Sequence, residues 1–488
     1  MTNNRRKKTV LLLTYINSHF PELMRVADLL KKSGRYRPVI LFVEGYEATG
    51  VKKEFVQSCR AKKISLVGLN DRIPLIKRES EISMSLSNSK KFPAPKDFKG
   101  KVKHFAKTTP GVKAISFYLY NFFVSLWYYP KTKKEIRTVE NFLGRLKPAA
   151  LILPEDNVSY NTSIFTRWGH RHRVASVVIP FTIANETEAA EHLKDLPEHQ
   201  VKGGLSRLVS NLFPEWVYRH HDQDLLLMSA LKILANKYLG LSPKKPWLIN
   251  SGNVSAIAVE SPFMMNYYEQ NGIAKEKLIL TGSTSDDPLC ANLKDKKKKL
   301  ASLHRELKIK NKKPMLLCAI PPPWFPRLQC EFDNYKELID FWISNLAKIK
   351  SYNVVITLHP RIDFRELEYI EEYGVKISRR STAELIPLCS LYLASISATI
   401  RWAITCSKPV LNYDVYKYRF DDYETAAGVI TFEKKNDFVK YLGRMTGDKR
   451  FYARYAQRQR DCMRDWGLLD GKSGERIIRL IDSMIKRG

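Results

Sequence analysis

Three groups of polar residues in this 488-residue chain stand where they could handle a nucleotide or another phosphorylated group. An apolar run at 354–358 ends in His359-Pro360-Arg361. Proline disfavours the α region for the residue before it, so the His359 imidazole is held in an extended-to-turn geometry. There it could donate to a phosphate oxygen or to a departing group. A second run, 391–394, leads into Ser395, Ser397 and Thr399, ahead of a helix-like stretch at 400–406. Hydroxyls and free N–H groups at a helix start form an anion site, and the same residues serve as plain N-caps. Arg361 and Arg401 are candidate counter-charges. The third group is Glu155-Asp156, after the run 149–153. Side chains of neighbouring residues diverge, so at most one of the two need face a cleft. Enclosure there would raise a carboxyl pKa toward the value a general base requires. A further acidic cluster, Asn185-Glu186-Thr187-Glu188, could line the same edge.

The elements that must position these residues alternate. Strand patterns are expected at 8–15, 39–43, 64–69, 149–153, 175–180, 249–259 and 278–281, with helices at 20–32 and 162–172 among them. A second alternating series starts at 314–319 and continues through 354–358, 391–394, 409–413 and 429–432. Residues 450–486 read as helical, interrupted by Gly471 and Gly474. This βαβ order predicts an α/β protein of two doubly wound parallel sheets, in which ligands bind beyond the carboxyl ends of the strands. The first strand lacks GxGxxG, and no P-loop, GxSxG or kinase set occurs. Metal ligation is not suggested either. His170 and His172 diverge on a helix, His220-His221-Asp222 lacks a partner set, and Asp286-Asp287 reads as a helix cap.

Hydrophobic content of 44% and 11% aromatics indicate a globular chain, long enough for two sizeable domains. Seven scattered cysteines without a CxxC pair fit a reducing compartment. The basic start at 1–8 resembles a signal n-region. The run after it is short, β-branched and broken by Asn17, Ser18 and His19, so it reads as the first strand of a cytoplasmic protein. A net charge of +32 points to a polyanionic partner, an anionic membrane surface or nucleic acid, and equally to a merely basic, solvated surface. The Lys-, Pro- and Ser-rich stretch 85–113 and the aromatic run 115–129 carry the pattern of an interfacial anchor, and equally that of a buried helix under a solvated loop. Fifteen residues are too few to span a bilayer comfortably.

Taken together, Glu155-Asp156-Asn157, His359-Pro360 and the Ser397/Thr399 group resemble the three motifs of HP-type bacterial glycosyltransferases of the GT-B architecture. These include sialyltransferases and transferases of capsule and lipopolysaccharide. Asn157 stands where that pattern has Gly, and the third motif is spread out. The resemblance implies two Rossmann-like domains with an interdomain cleft and a C-terminal helix crossing back to the first domain. The expected division is an acceptor domain at 1–293 with a basic and aromatic insertion at 85–134, a linker at 294–313, a nucleotide-sugar domain at 314–449 and crossing helices at 450–488. By the same resemblance Asp156 or Glu155 is the general base. His359, Pro360, Arg361, Ser395, Ser397 and Thr399 hold the donor phosphate, and His359 assists its departure. No metal and no cofactor is implied. A CMP-sugar is the favoured donor, with UDP- and other NDP-sugars open. The acceptor would be a cell-surface polysaccharide or glycolipid, met on the cytoplasmic face of the membrane. A nucleotide-sugar 2-epimerase or a polyol-phosphate transferase shares the architecture. A nucleic-acid-binding protein ranks below these, because it gives the strand-end residues no role.

Overall fold

The computed structural model describes residues 7–43, 50–69, 110–181, 183, 186–251, 253–321, 323, 330–358 and 362–487; within 110–125 it describes only the backbone. Contacts divide the chain into two units, 1–258 with 271–279 and 478–488, and 259–270 with 280–477.

The first unit begins with β1 (Lys8–Thr14), β2 (Tyr36–Phe42) and β3 (Ser65–Gly68), followed by β4 (Ala150–Leu153) and β5 (Ala175–Val178). A hairpin of β6 (Val217–His220) and β7 (Gln223–Leu226) comes next, then β8 (Ala256–Val259) and β9 (Leu278–Leu280). Apart from the hairpin these strands form one sheet in the order β3-β2-β1-β4-β5-β8-β9. β1 pairs in parallel with β2 on one side and with β4 on the other. Residues 10–13 of β1 are fully buried, as expected for a strand covered on both faces. The Phe20–Lys32 helix starts and ends where its apolar spacing indicates, with Leu23, Val26, Ala27 and Leu30 buried.

The second unit repeats the plan. Its strands are β10 (Met315–Ala319), β11 (Asn353–Thr357), β12 (Lys376–Ile377), β13 (Leu391–Ala394), β14 (Val410–Tyr413) and β15 (Val429–Phe432). They pair in the order β12-β11-β10-β13-β14-β15, and all the recorded pairings are parallel. That is the 3-2-1-4-5-6 order of a dinucleotide-binding domain. Trp342, Tyr413, Phe432 and Phe438 stack into the centre of its core.

Several expected elements end elsewhere. The strand expected over 249–259 shrinks to Ala256–Val259, because Asn250 is left-handed (φ +66°) and spends its backbone N–H on the Asp156 carbonyl rather than on a ladder. The terminal helices, Lys449–Trp466 and Ser473–Arg487, break at 467–472, so Gly474 lies inside the last helix rather than interrupting it. Its first turn is capped by Asp287, whose two oxygens accept from the Ser473 and Gly474 amides at 2.9 and 2.8 Å. Within the first unit, Asp482 of the last helix pairs with Arg35 at 2.6 Å and accepts from the Tyr36 hydroxyl. Residues 110–146 form one long helix that runs through Pro130. Among the described residues no helix is long and apolar enough to cross a membrane.

The segment between β5 and β8 is the part of the first unit for which the sequence offered least. It holds the helices Gly204–Leu212 and Ala230–Leu239 and the β6–β7 hairpin, packed around Trp216, Val209 and Ile233, and the Glu186–Leu193 helix, whose Ala190 packs with Leu225 and Trp247.

Candidate functional site

In the first unit the sheet order puts the C-terminal ends of β1, β4 and β5 side by side. Strand β1 delivers Tyr15 and then His19, and β4 delivers Glu155 and Asp156; β5 leads to Phe181. His19 is fully buried. Its Nδ1 accepts the Tyr15 amide at 3.3 Å, so the proton of the neutral ring sits on Nε2. That nitrogen faces Glu155 Oε1 at 3.1 Å. The rings of Phe181 and Tyr160 meet the imidazole edge-on at 4.5 and 5.7 Å and shield it from water.

The two adjacent carboxylates do different things. Asp156 is tied into the chain: Oδ1 accepts from the Thr162 hydroxyl at 2.8 Å and Oδ2 from the Asn253 amide at 3.2 Å. Its own amide donates to Asn250 Oδ1 at 2.8 Å. Burial raises the Asp156 pKa, against these bonds and the charge of Lys277, which lower it; the Glu155 charge adds to the rise. Glu155 faces the imidazole instead, and its Oε2 receives the Asn157 side-chain amide at a long 3.4 Å.

Two further carboxylates come near this edge. Glu188, on the Glu186–Leu193 helix, keeps an exposed position; partial desolvation and the Glu155 charge raise its pKa, and His192 opposes the rise. Glu135, on the long helix, accepts from Asn161 Nδ2 at 3.1 Å. Burial pushes the Tyr15 hydroxyl well above the usual phenol range, and Glu135, Asp156 and Glu155 push it further. Asn185 lies outside the described residues; of the acidic cluster that contains it, Glu188 is near enough to Glu155 for their charges to interact. A chain of net charge +32 thus brings four carboxylates to or near one set of strand ends.

Beside them is a cavity of about 490 Å³. Trp127, Tyr128 and Met228 give it apolar walls, Lys131 and Lys232 give it ammonium groups, and His192 lines it as well. It shares Asn161 with the acidic edge, where the Tyr128 hydroxyl donates to Asn161 Oδ1 at 3.0 Å. Burial lowers the Lys232 pKa.

In the second unit β13 and β10 lie adjacent, so Ser395, Ser397 and Thr399 occupy the topological switch point of that sheet. Ser395 Oγ is buried without a hydrogen-bond partner among the described residues. Ile396 is left-handed (φ +37°), a strained state for a β-branched residue, held by its amide bond to Asn412 Oδ1 at 2.9 Å. The Ser397 and Thr399 hydroxyls lie 2.7 Å apart, and Thr399 also meets the Tyr392 hydroxyl at 2.5 Å. The helix that follows, Thr399–Thr405, has only seven residues. His359, Pro360 and Arg361 lie outside the described residues; the strand leading to them, β11, ends at Thr357.

Arg401 is buried and serves the interior of the second unit. Its guanidinium donates to Ser285 Oγ at 3.2 Å and stands 3.6 Å from Asp286 Oδ1, an ion-pair rather than a hydrogen-bond distance. Asp286 Oδ2 accepts the Ser283 and Leu468 amides, both at 3.0 Å. Glu260 completes this cluster: burial lifts its pKa to about 7, with Arg401 opposing the rise and Asp286 adding to it.

His19 escaped the sequence reading, where it counted only as a residue breaking an apolar run. The rule applied to His359 and Glu155, polar residues just past a parallel strand, would have found it. The Arg401–Asp286–Glu260 cluster carried no local signal, since Arg401 is more than a hundred residues from both carboxylates.

No protein-family model and no curated protein matches the chain. Solved structures do. The calicheamicin glycosyltransferase CalG4 superposes with a TM-score of 0.53 at 12% identity, over 99% of each chain. TcCGT1 in complex with UDP gives 0.53 at 12%, over 99% of this chain and all of that one. The Neisseria meningitidis UDP-GlcNAc 2-epimerase bound to UDP-GlcNAc gives 0.50 at 12%, over 97% and 100%. The fold is GT-B. Two Rossmann-like parallel sheets make up the chain, as the strand patterns and the motif resemblance implied.

The Glu260 environment has a consequence for stability. The folded state holds the Glu260 proton more tightly than the unfolded chain, whose carboxyl titrates near 4.5. Stability present below pH 4.5 is therefore lost as pH rises through about 7. The loss is about 3 kcal/mol if the full shift is expressed. Glu260→Gln should flatten this fall and raise the denaturation midpoint at pH 8 relative to the parent. Urea titrations at pH 5 and pH 8 measure it, and equal pH dependence in both proteins would count against the assignment.

Proposed function

We propose that this chain is a metal-independent glycosyltransferase, moving a sugar from a nucleotide-sugar donor to a glycan or glycolipid acceptor. The observation that carries the reading is the Glu155–His19 pair, a buried carboxylate 3.1 Å from the Nε2 of a buried imidazole at the switch point of the first sheet. With Oε1 facing His19 Nε2, Oε2, whose recorded bond is the long one from the Asn157 amide, would take the proton of an acceptor hydroxyl. The acceptor oxygen then attacks the anomeric carbon while the carbon–phosphate-oxygen bond breaks, and the nucleotide departs with the electron pair. His19, fixed under the Phe181 and Tyr160 rings, keeps the carboxylate aimed, as an orienting group does in other acid–base pairs. Asp156 is the poorer candidate for the base, because both its oxygens are spent on the fold.

The cavity beside the pair supports an acceptor role for the first unit. Trp127 and Tyr128 offer flat apolar faces to a sugar ring, and Lys131 and Lys232 favour an anionic glycan or a phosphorylated lipid carrier. On the donor side, Ser395, Ser397 and Thr399 are assigned to the phosphate together with His359, Pro360 and Arg361. Ser395 Oγ is the hydroxyl with no competing bond. These groups would offset the charge of the departing phosphate without a metal.

Two points of the reading turn on the neighbours. The sequence motifs favour a CMP-sugar, whereas two of the similar structures hold UDP or UDP-GlcNAc, which favours a uridine nucleotide. One of these is a 2-epimerase, and that reading is kept as the second. Location at the inner face of the cell membrane is part of the proposal. It rests on the net charge and on Leu205, Leu208 and Leu212, exposed at i, i+3 and i+7 of the Gly204–Leu212 helix.

Glu155→Gln should lower the rate of transfer by about 10²–10⁴ while leaving the melting temperature close to the parent value. Near-normal transfer by that variant would remove Glu155 from the role of base. A thermal-shift screen of UDP, CMP, GDP and CDP sugars, with product analysis lacking any acceptor, should show one stabilising nucleotide and an unchanged sugar. An isomerised sugar would instead establish the epimerase. Flotation with phosphatidylserine-containing vesicles should recover the parent but lose a Leu208→Asp, Leu212→Asp double variant. Equal recovery of both would refute docking through that helix.

A further inference from the structure

His220 and His221 have a partner that sequence order hides. Glu191, on the Glu186–Leu193 helix, presents Oε1 to His220 Nε2 at 2.8 Å and to His221 Nε2 at 3.4 Å. The three donor atoms all lie within 4.8 Å of one another. Consecutive residues of a strand point to opposite faces, so two adjacent histidines would normally diverge. Here His220 ends β6 and His221 opens the two-residue turn to β7 with a left-handed backbone, φ +48°. That turn brings both rings to one side, with centroids 4.2 Å apart.

We propose that Glu191, His220 and His221 form a binding site for a divalent cation of the zinc class, which pins the β6–β7 hairpin to the Glu186–Leu193 helix. Two imidazoles and a carboxylate suit zinc and its first-row neighbours better than magnesium or calcium, which prefer all-oxygen sets. Donors at about 2.0–2.1 Å from a tetrahedral ion stand about 3.3 Å from each other, and the separations here bracket that value. Lys194 Nζ holds Glu191 Oε2 at 2.6 Å, which orients the carboxylate and leaves Oε1 as a single ligand. The His220 side chain is buried, whereas that of His221 is 64% exposed, so the ion would be open to solvent on one side for its remaining ligands.

The site lies away from the reacting atoms, and its role is to position. Glu188 precedes Glu191 by three residues and shares its helix face, and its charge is coupled to Glu155. An ion at Glu191 would fix the helix that carries this part of the acidic edge. The inference stands on the cluster alone and does not depend on the proposed transfer.

The test uses the full, tag-free chain after EDTA treatment and dialysis. Calorimetric titration with Zn²⁺ should show one saturable equivalent, and Co²⁺ should give the intense visible bands of low coordination number. Because His221 is exposed, His221→Ala should keep the circular dichroism and the melting temperature of the metal-free parent, yet bind Zn²⁺ at least about tenfold more weakly. Hydrogen exchange should slow in 186–193 and 217–226 when Zn²⁺ is added to the parent. Absence of saturable binding, or equal affinity in parent and variant, overturns the site. Binding that leaves exchange in both segments unchanged overturns the pinning role.

Discussion

Strand β1 pairs with β2 on one side and β4 on the other, and the candidate chemistry depends on that double pairing. Parallel strands need crossover connections, and where successive crossovers depart to opposite sides a gap opens at the strand ends. In the first unit the gap lies between β1 and β4, and its lining follows from which residues come next in each chain segment. Those residues are Tyr15 and His19 after one strand, Glu155 and Asp156 after the other. The second unit has the same arrangement at β10 and β13, with Ser395, Ser397 and Thr399 after β13.

Electrostatics in each unit runs against the charge of the whole. A chain with 82 basic and 50 acidic residues keeps its surface positive, yet sets Glu135, Glu155 and Asp156 near Tyr15 and buries the last two. Burying like charges together is costly, and the structure meets the cost by assigning different partners. Asp156 accepts hydrogen bonds from Thr162 and Asn253, Glu135 one from Asn161, and Glu155 stands 3.1 Å from His19 Nε2. In the second unit Arg401 stands between Asp286 and Glu260 by the same logic, and the carboxyl with the fewest donors, Glu260, has its pKa raised to about 7.

Most of the sheet architecture was legible locally. Runs such as 391–394 and 429–432 became strands with unchanged limits, and the Phe20–Lys32 helix matched its apolar spacing. Failures came where a backbone group found a distant partner. Asn250 left its expected strand to bond Asp156, and Asp287, read as a cap for its own helix, caps Ser473 and Gly474 instead. The segment between β5 and β8 was opaque because its helices are short and its core residue, Trp216, is isolated in sequence.

By itself the sequence determined the class of fold and which residues end strands, since both follow from periodicity and from the residues that interrupt it. Glu155 and Asp156, and Ser395 through Thr399, were identifiable on that ground alone. Strand order belongs to the tertiary structure, because pairing is a contact between distant segments that no local pattern records. That order brought His19 to Glu155 across 136 residues and set Asp156 aside as a fastening of the fold; the left-handed turn at His221 and the helix carrying Glu191 made a cluster of residues 30 apart in the chain.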